Sequence, residues 1–398
     1  MTIAKTGTVG ALMVALALLA GPLLKEAVAG PTIEFGDEGQ GLLRIDYKAQ
    51  FQFISRDTGS GPDNTDRTST ANFRRNRLAF IGAWGDMLGI YVQTDFVEDL
   101  NVGNLSVGSD FGSHFTLLDA QLRFKFNDMF RVRVGKFKAN LTRENLEDCY
   151  QPLTLDRSVF LKEPFVLSTR DRGLAVWGNL LDNRLQYKLD VLEGRPADSE
   201  SPDSSFRYGG RLHLSLLDPE SGYGYRGTYR GDKQVLTIGA GYQFEPDMVY
   251  ANAAAETGAS DYKAWTADVF FEYPLEEIGT VTLSSAYMDV DIDEAYKGAD
   301  PEAQAIGQFG ERNGYYVKGG YMLPNLPLQF FGRYEGWSFA NLSGIPNQDL
   351  GWLGLGVNYY VRGQNLKLTF EYQEVDFDKE ATACQDFKTV VAQLQVIF

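Results

Sequence analysis

Over Lys388 to Phe398 the chain alternates strictly. Phe398, Val396, Leu394, Ala392 and Val390 are apolar, whereas the interleaved Ile397, Gln395, Gln393, Val391 and Thr389 are mixed and partly polar. A period of two belongs to a β-strand whose faces meet two different environments. The same alternation fills 42–53, where Leu43, Ile45, Tyr47, Ala49, Phe51 and Phe53 oppose Arg44, Asp46, Lys48, Gln50 and Gln52. It returns in 115–126, with Leu118, Ala120, Leu122, Phe124 and Phe126 against Asp119, Gln121, Arg123 and Lys125. In 365–374, Leu366, Leu368, Phe370 and Tyr372 oppose Lys367, Thr369, Glu371 and Gln373.

The pattern predicts sixteen strands, near 42–54, 73–84, 88–97, 115–126, 130–138, 173–180, 185–194, 206–217, 235–244, 261–273, 280–290, 313–323, 328–339, 351–361, 365–376 and 388–398. Most have the length of a tilted strand that crosses a bilayer, about 9–11 residues or slightly more. Short turns, such as Gly85-Asp86-Met87 and Asn127-Asp128-Met129, alternate with long loops at 55–72, 98–114, 139–172, 291–312 and 340–350. This is the layout of an all-β, transmembrane, antiparallel up-and-down β-barrel. Residues 218–234 are long where a short turn is due, and a further strand pair there would raise the count to eighteen. A soluble sandwich or lipocalin-like barrel fits less well, because sixteen amphipathic strands exceed one small core and closure removes aggregation-prone edges.

Aromatic residues make up 13% of the 398-residue chain, Gly contributes 42 residues, and Cys and His two each. Two histidines argue against a multi-histidine metal site, and neither a metal nor a cofactor is expected. Cys149 and Cys384 allow one disulfide without requiring it. Lys5, an apolar run from Val9 to Ala20 and Ala27-Val28-Ala29 predict a cleaved secretory signal over 1–29, leaving 30–398 as the barrel. The apolar run is shorter than the roughly 20 residues of a spanning helix.

The net charge is −16, and removing 1–29 leaves −17, which argues against a nucleic-acid partner. Strand parity distributes that charge unevenly. The polar faces carry fourteen basic residues (Arg44, Lys48, Arg75, Arg77, Arg123, Lys125, Arg131, Arg133, Lys188, Arg207, Arg211, Lys318, Arg333 and Lys367) and eight acidic ones. The inner wall is therefore expected to be basic, with excess acid in loops such as Asp289, Asp291, Asp293 and Glu294. Those loops are solvated or meet the cation-bridged lipopolysaccharide and lipid of an outer membrane.

Residues 130–172 carry a more specific signal. "FRVRVGKFKANLTRENLEDCYQPLTLDRSVF" contains Val134-Gly135-Lys136-Phe137-Lys138 leading into a long loop with Leu155-Asp156-Arg157-Ser158, and "RDRGLAVWG" (Arg170 to Gly178) returns from it. Together with Asn72 to Phe96, these segments resemble the phosphate-selective porin O and P family of Gram-negative outer membranes. The resemblance implies a sixteen-stranded homotrimeric porin, a third long loop folded into the lumen, and anion preference from lumenal Arg and Lys. The acidic net charge and sparse loop lysines depart from that pattern and leave the solute open.

These readings converge on a passive outer-membrane porin for small hydrophilic solutes with a mild preference for anions. Arg75, Arg77, Arg123, Lys125, Arg131, Arg133, Arg207 and Arg211 are the expected anion-attracting lining. The inward loop near 139–172 would form the constriction through Arg143, Glu144, Glu147, Asp148, Asp156 and Arg157. The Asn127-Asp128-Met129 turn sets Lys125 opposite Arg131 and Arg123 opposite Arg133, with Phe126 and Phe130 paired outward. Like charges directly opposed across two strands destabilise the pair. Two alternatives belong to other classes. A scaffold barrel could sheathe a partner such as a multihaem cytochrome, because this chain has no Cys-x-x-Cys-His of its own. An outer-membrane hydrolase could use His213 and Ser215, but the Asn-Gly that follows in such enzymes is missing and His213 shares the polar face of Arg211. No catalytic residue is assigned.

Overall fold

The alternating segments become sixteen antiparallel strands that hydrogen-bond in chain order and close on themselves. The computed structural model describes residues 30–96, 101–102, 105–106, 115–203, 206–381 and 384–398; the expected signal segment 1–29 lies outside the described residues. A short strand β1 (Thr32–Phe35) precedes the barrel. The barrel strands are β2 (Gly41–Ser60), β3 (Asp66–Trp84), β4 (Leu88–Asp95), β5 (Thr116–Lys125), β6 (Arg131–Lys138), β7 (Arg170–Leu180), β8 (Leu185–Leu192) and β9 (Arg207–Ser215). They continue with β10 (Val235–Asn252), β11 (Thr257–Leu275), β12 (Gly279–Asp291), β13 (Arg312–Met322), β14 (Leu328–Leu342), β15 (Ile345–Gln364), β16 (Leu366–Phe377) and β17 (Phe387–Ile397).

Closure occurs between β17 and β2, with Gln393 opposite Gln52 and Gln395 opposite Gln50. The Gln50 and Gln52 amides each donate to the facing glutamine, at 2.7 and 2.8 Å, so the seam is stitched on its inner face. Phe398 exchanges both backbone hydrogen bonds with Tyr47, and their rings lie 5.4 Å apart. Beyond that point β2 outruns its partner, and β1 pairs with the exposed edge from Gly41 to Arg44. Without it, that stretch would present unpaired amides and carbonyls.

The outer face is apolar. Leu122, Leu212, Ile238, Leu283, Val317 and Leu355 are all exposed, as a lipid-facing belt demands. Phe126 and Phe130 point outward together at one rim, 5.4 Å apart, as their register predicts.

Two expectations about the connections and one about the inner wall are corrected. Residues 55–72 and 340–350 are mostly strand rather than long loop, because the alternation of β2, β3, β14 and β15 runs on to tight turns. Residues 218–234 add no strand pair, so the eighteen-strand count falls. That segment instead folds into the barrel and buries Tyr223, Tyr225 and Tyr229. Finally, the inner wall is not polar throughout. Trp337, Leu350, Trp352, Val375 and Phe377 belong to a buried cluster in the half of the lumen nearer the long loops.

Candidate functional site: the lumen and its cationic vestibule

Residues 139–169 leave β6 and cross the inside of the barrel. Within β6, three residues before it ends, Gly135 takes φ 118°, where a β-carbon would collide with the carbonyl of Ala120. Thr142 caps the single-turn helix α1 (Arg143–Leu146) by accepting from the Asn145 amide at 2.9 Å. The loop is then tied to several walls. Glu144 pairs with Lys318 of β13. The Leu155 amide donates to Glu371 at 2.8 Å and the Ser158 hydroxyl to Glu335 at 2.6 Å. Asp156 meets both Arg74 and Arg75, at 2.6 and 2.5 Å. Phe160 is fully buried, 4.8 Å from the ring of Trp337 and 5.1 Å from that of Phe339.

The 218–234 segment enters from the opposite rim and meets this loop. Arg143 grips Glu220 with two hydrogen bonds, at 2.6 and 2.9 Å, a fork geometry that suits a buried pair. Backbone bonds join Asp148 to Tyr225, Tyr225 to Leu146, and Gly227 to Gln151. Burial alone would raise the Glu220 carboxyl, but Arg143 holds it well below the usual carboxylate range. Arg74 and Arg75 do the same for Asp156. Cys149 shows the sign of the local field: burial pushes its thiol up, yet Arg157, Lys138, Arg77 and Arg75 hold it well below the ordinary value. Cys149 and Cys384 are both free and buried, so the disulfide does not form.

The expected lining residues divide into two groups. Arg207 pairs with Glu163 and Glu245, both at 2.8 Å, and Arg211 with Asp268 at 2.7 Å. Arg75 is locked to Asp156 and Arg77 to Asp95, the latter at 2.6 Å. These cations are neutralised and buried, which corrects the expectation that all eight form one attracting wall. Asp95, Glu245 and Asp268 stand on other wall strands, whereas Asp156 and Glu163 arrive from the 139–169 loop, which parity does not see.

The second group is the β5–β6 hairpin. Arg123 faces Arg133 and Lys125 faces Arg131, as predicted. One correction applies: Asp128 of the turn pairs with both Lys125 and Arg131, at 3.2 and 2.5 Å. Arg123 and Arg133 have no carboxylate within ion-pair distance among the described residues. Arg123 lies over the ring of Tyr91 at 4.5 Å, Arg133 over Tyr223 at 3.6 Å, and Arg131 over Trp177 at 4.5 Å.

This hairpin borders a cavity of about 720 Å³ that opens at the short-turn rim and ends on the inward loop. Its lining includes nine basic residues (Lys48, Arg77, Arg123, Lys125, Arg131, Arg133, Lys138, Arg170 and Arg226) against Asp86, Asp119 and Asp148. Of the six charged loop residues expected at the constriction, Asp148 reaches the cavity; Arg143, Glu144, Glu147, Asp156 and Arg157 are buried in the packed loop instead. Cys149, Tyr150 and the inward-turn Tyr223 and Tyr225 also face it, and parity assigned none of them. The spacing Tyr223, Tyr225, Tyr229 was the available signal, but a period of two reads equally as strand.

The family model described as phosphate-selective porin O and P matches residues 45–398. The chain belongs to this family. It is 21% identical to an uncharacterized protein of Aquifex aeolicus over 380 residues, covering 87% of this chain and 80% of the other. Among solved structures it resembles OmpF of Salmonella typhi in complex with daunomycin, with a TM-score of 0.60 at 12% identity, covering 92% of this chain and 100% of that one. It also resembles the anion-selective porin from Comamonas acidovorans, with a TM-score of 0.57 at 9% identity, covering 90% and 100%. Barrel and family together make this an outer-membrane channel protein.

His213 and Ser215 are both buried on the inner face. His213 stacks on Tyr225 at 4.6 Å and its Nε2 lies 3.3 Å from Glu220, while the Ser215 hydroxyl accepts from the Glu220 amide at 3.4 Å. Both side chains support the inward segment.

Proposed function

We infer that this protein is a passive porin for small hydrophilic solutes with a mild preference for anions, exported after removal of 1–29 and assembled as a homotrimer. One observation carries the anion preference. Arg123 and Arg133 oppose each other on a cavity wall and are backed by tyrosine rings instead of carboxylates. A like-charge pair costs stability unless something answers it, and here a passing anion does. The surrounding excess of cations enriches anions at the mouth, and selectivity in such pores follows lining charge and diameter. The anion-selective Comamonas porin shows that this fold supports such a preference. The loop 139–169 sets the diameter.

The cytochrome-sheath alternative needs a wide, vacant lumen, whereas the chain's own two segments fill much of this one. Reversal potentials in a salt gradient test the porin reading. Replacing Arg123, Lys125, Arg131 and Arg133 with Gln should shift selectivity toward cations, most strongly at low salt, where screening is weakest. A folded quadruple variant with an unchanged anion-to-cation permeability ratio would rule out this wall as the selectivity element.

A further inference from the structure

Inorganic anions make no use of aromatic rings, yet Arg123 and Arg133, the two arginines of this hairpin without a carboxylate partner among the described residues, are both mounted on them. Tyr91 carries Arg123 and Tyr223 carries Arg133, while Arg131, paired with Asp128, lies over Trp177. Tyr223 and Trp177 themselves meet edge to face, with centroids 5.3 Å apart. The inward segment delivers Tyr223 to this spot: Asn179 and Gln186 donate to the carbonyls of Ser221 and Gly222, each at 2.9 Å. A guanidinium lying on a ring loses hydration from one face and keeps its N–H edge free for a planar, two-oxygen acceptor. Arg133 is only 7% exposed, and its Nε has no hydrogen-bond partner. The cavity is within the size range of small organic ligand sites, about 300–1,000 Å³.

Building on the anion preference above, we propose that the Arg123–Arg133 pair and the rings of Tyr91, Tyr223 and Trp177 form a binding site for planar aromatic carboxylates on their way through the pore. The carboxylate takes the guanidinium edges, and the aromatic body continues the alternating stack of rings and guanidiniums. A phosphate or chloride ion would satisfy the guanidiniums and leave the rings unused.

The test is block of the potassium chloride current through single channels in planar bilayers. Benzoate is compared with cyclohexanecarboxylate, which has the same charge and nearly the same size without the π-face, and with phosphate. Benzoate should interrupt the current at about a tenfold lower concentration than either, the order of a stacking contribution. Tyr223→Leu should raise the blocking concentration of benzoate to that of cyclohexanecarboxylate. Tyr91→Leu, on a different element, does the same if the first variant fails to assemble. Arg123→Gln with Arg133→Gln should abolish block by both carboxylates. Equal block by benzoate, cyclohexanecarboxylate and phosphate would overturn the aromatic class in favour of a plain oxyanion site. Absence of block in a channel whose reversal potential is still anion-preferring would overturn the binding site and leave the porin reading standing. A cation-preferring wild-type channel would overturn both.

Discussion

Arg211 and Arg133 both point into the barrel from strands of the same sheet, and they are used in opposite ways. Arg211 is buried against Asp268 on the neighbouring wall, and its charge is cancelled within the protein. Arg133 is nearly as buried, but it rests on Tyr223 and faces a second arginine. The first arrangement fixes structure and leaves little net field. The second gives up local stability and leaves a field in the cavity. Lumenal position therefore does not make a cation part of the permeation path; its counter-charge decides.

The largest expected contrast comes from removing these two side chains. Arg211→Gln leaves Asp268 as a buried, uncompensated charge and should destabilise the barrel by about 3–5 kcal/mol. Arg133→Gln loses a ring contact but relieves a like-charge pair, and should cost under about 1 kcal/mol. Urea titrations of the two variants in detergent micelles measure both, and equal losses would erase the distinction. Selectivity should move the other way, with Arg133→Gln shifting the reversal potential more than Arg211→Gln.

Acid provides an intermediate effect. Glu220 and Asp156 fasten the inward segments, and both carboxyls are held well below their ordinary range. The stability each gives the docked loop is present in full above its ordinary pKa, about 4. It is lost only as pH falls through the depressed, docked-state value. Single-channel conductance at pH 4 should thus match that at pH 7, and a stepwise increase already at pH 5 would show that these pairs do not hold the constriction.

The smallest effect is expected at the turn. Asp128 is exposed and pairs with Lys125 and Arg131. Such solvent-screened surface pairs contribute little to stability. Asp128→Asn should leave stability nearly unchanged and slightly increase anion preference at low salt. A decrease would mean that Lys125 and Arg131 do not contribute to the field at the mouth.

The barrel was legible in the sequence because each wall strand records its two environments in its own parity. The Lys125–Arg131 and Arg123–Arg133 register was legible for the same reason, since a short turn fixes it locally. Arg77 opposite Asp95 was legible from its short turn, but the other neutralised cations were not, because their partners come from farther along the chain: Arg75 and Asp156 are 81 positions apart, and Arg211 and Asp268 are 57. Parity also cannot say whether an inward face is wet. Glu371 and Gln373 share their face with Val375 and Phe377, yet the latter two lie in a dry cluster. The inward turn at 218–234 was recognisable as too long, but its tyrosines gave no sign of which side of the wall they occupy.

A sheet closed into a cylinder is a thin shell that resists stretching along its strands better than flattening across them. The segment from one rim and the segment from the other are joined inside this shell by Arg143, Glu220 and three backbone bonds. Together they act as an internal strut. Lateral pressure from the surrounding lipid would tend to make the cross-section elliptical, and the strut, anchored on several walls, opposes that deformation. The element proposed to narrow the passage thus also preserves its shape, which would insulate the aperture seen by a solute from the mechanical state of the membrane around it.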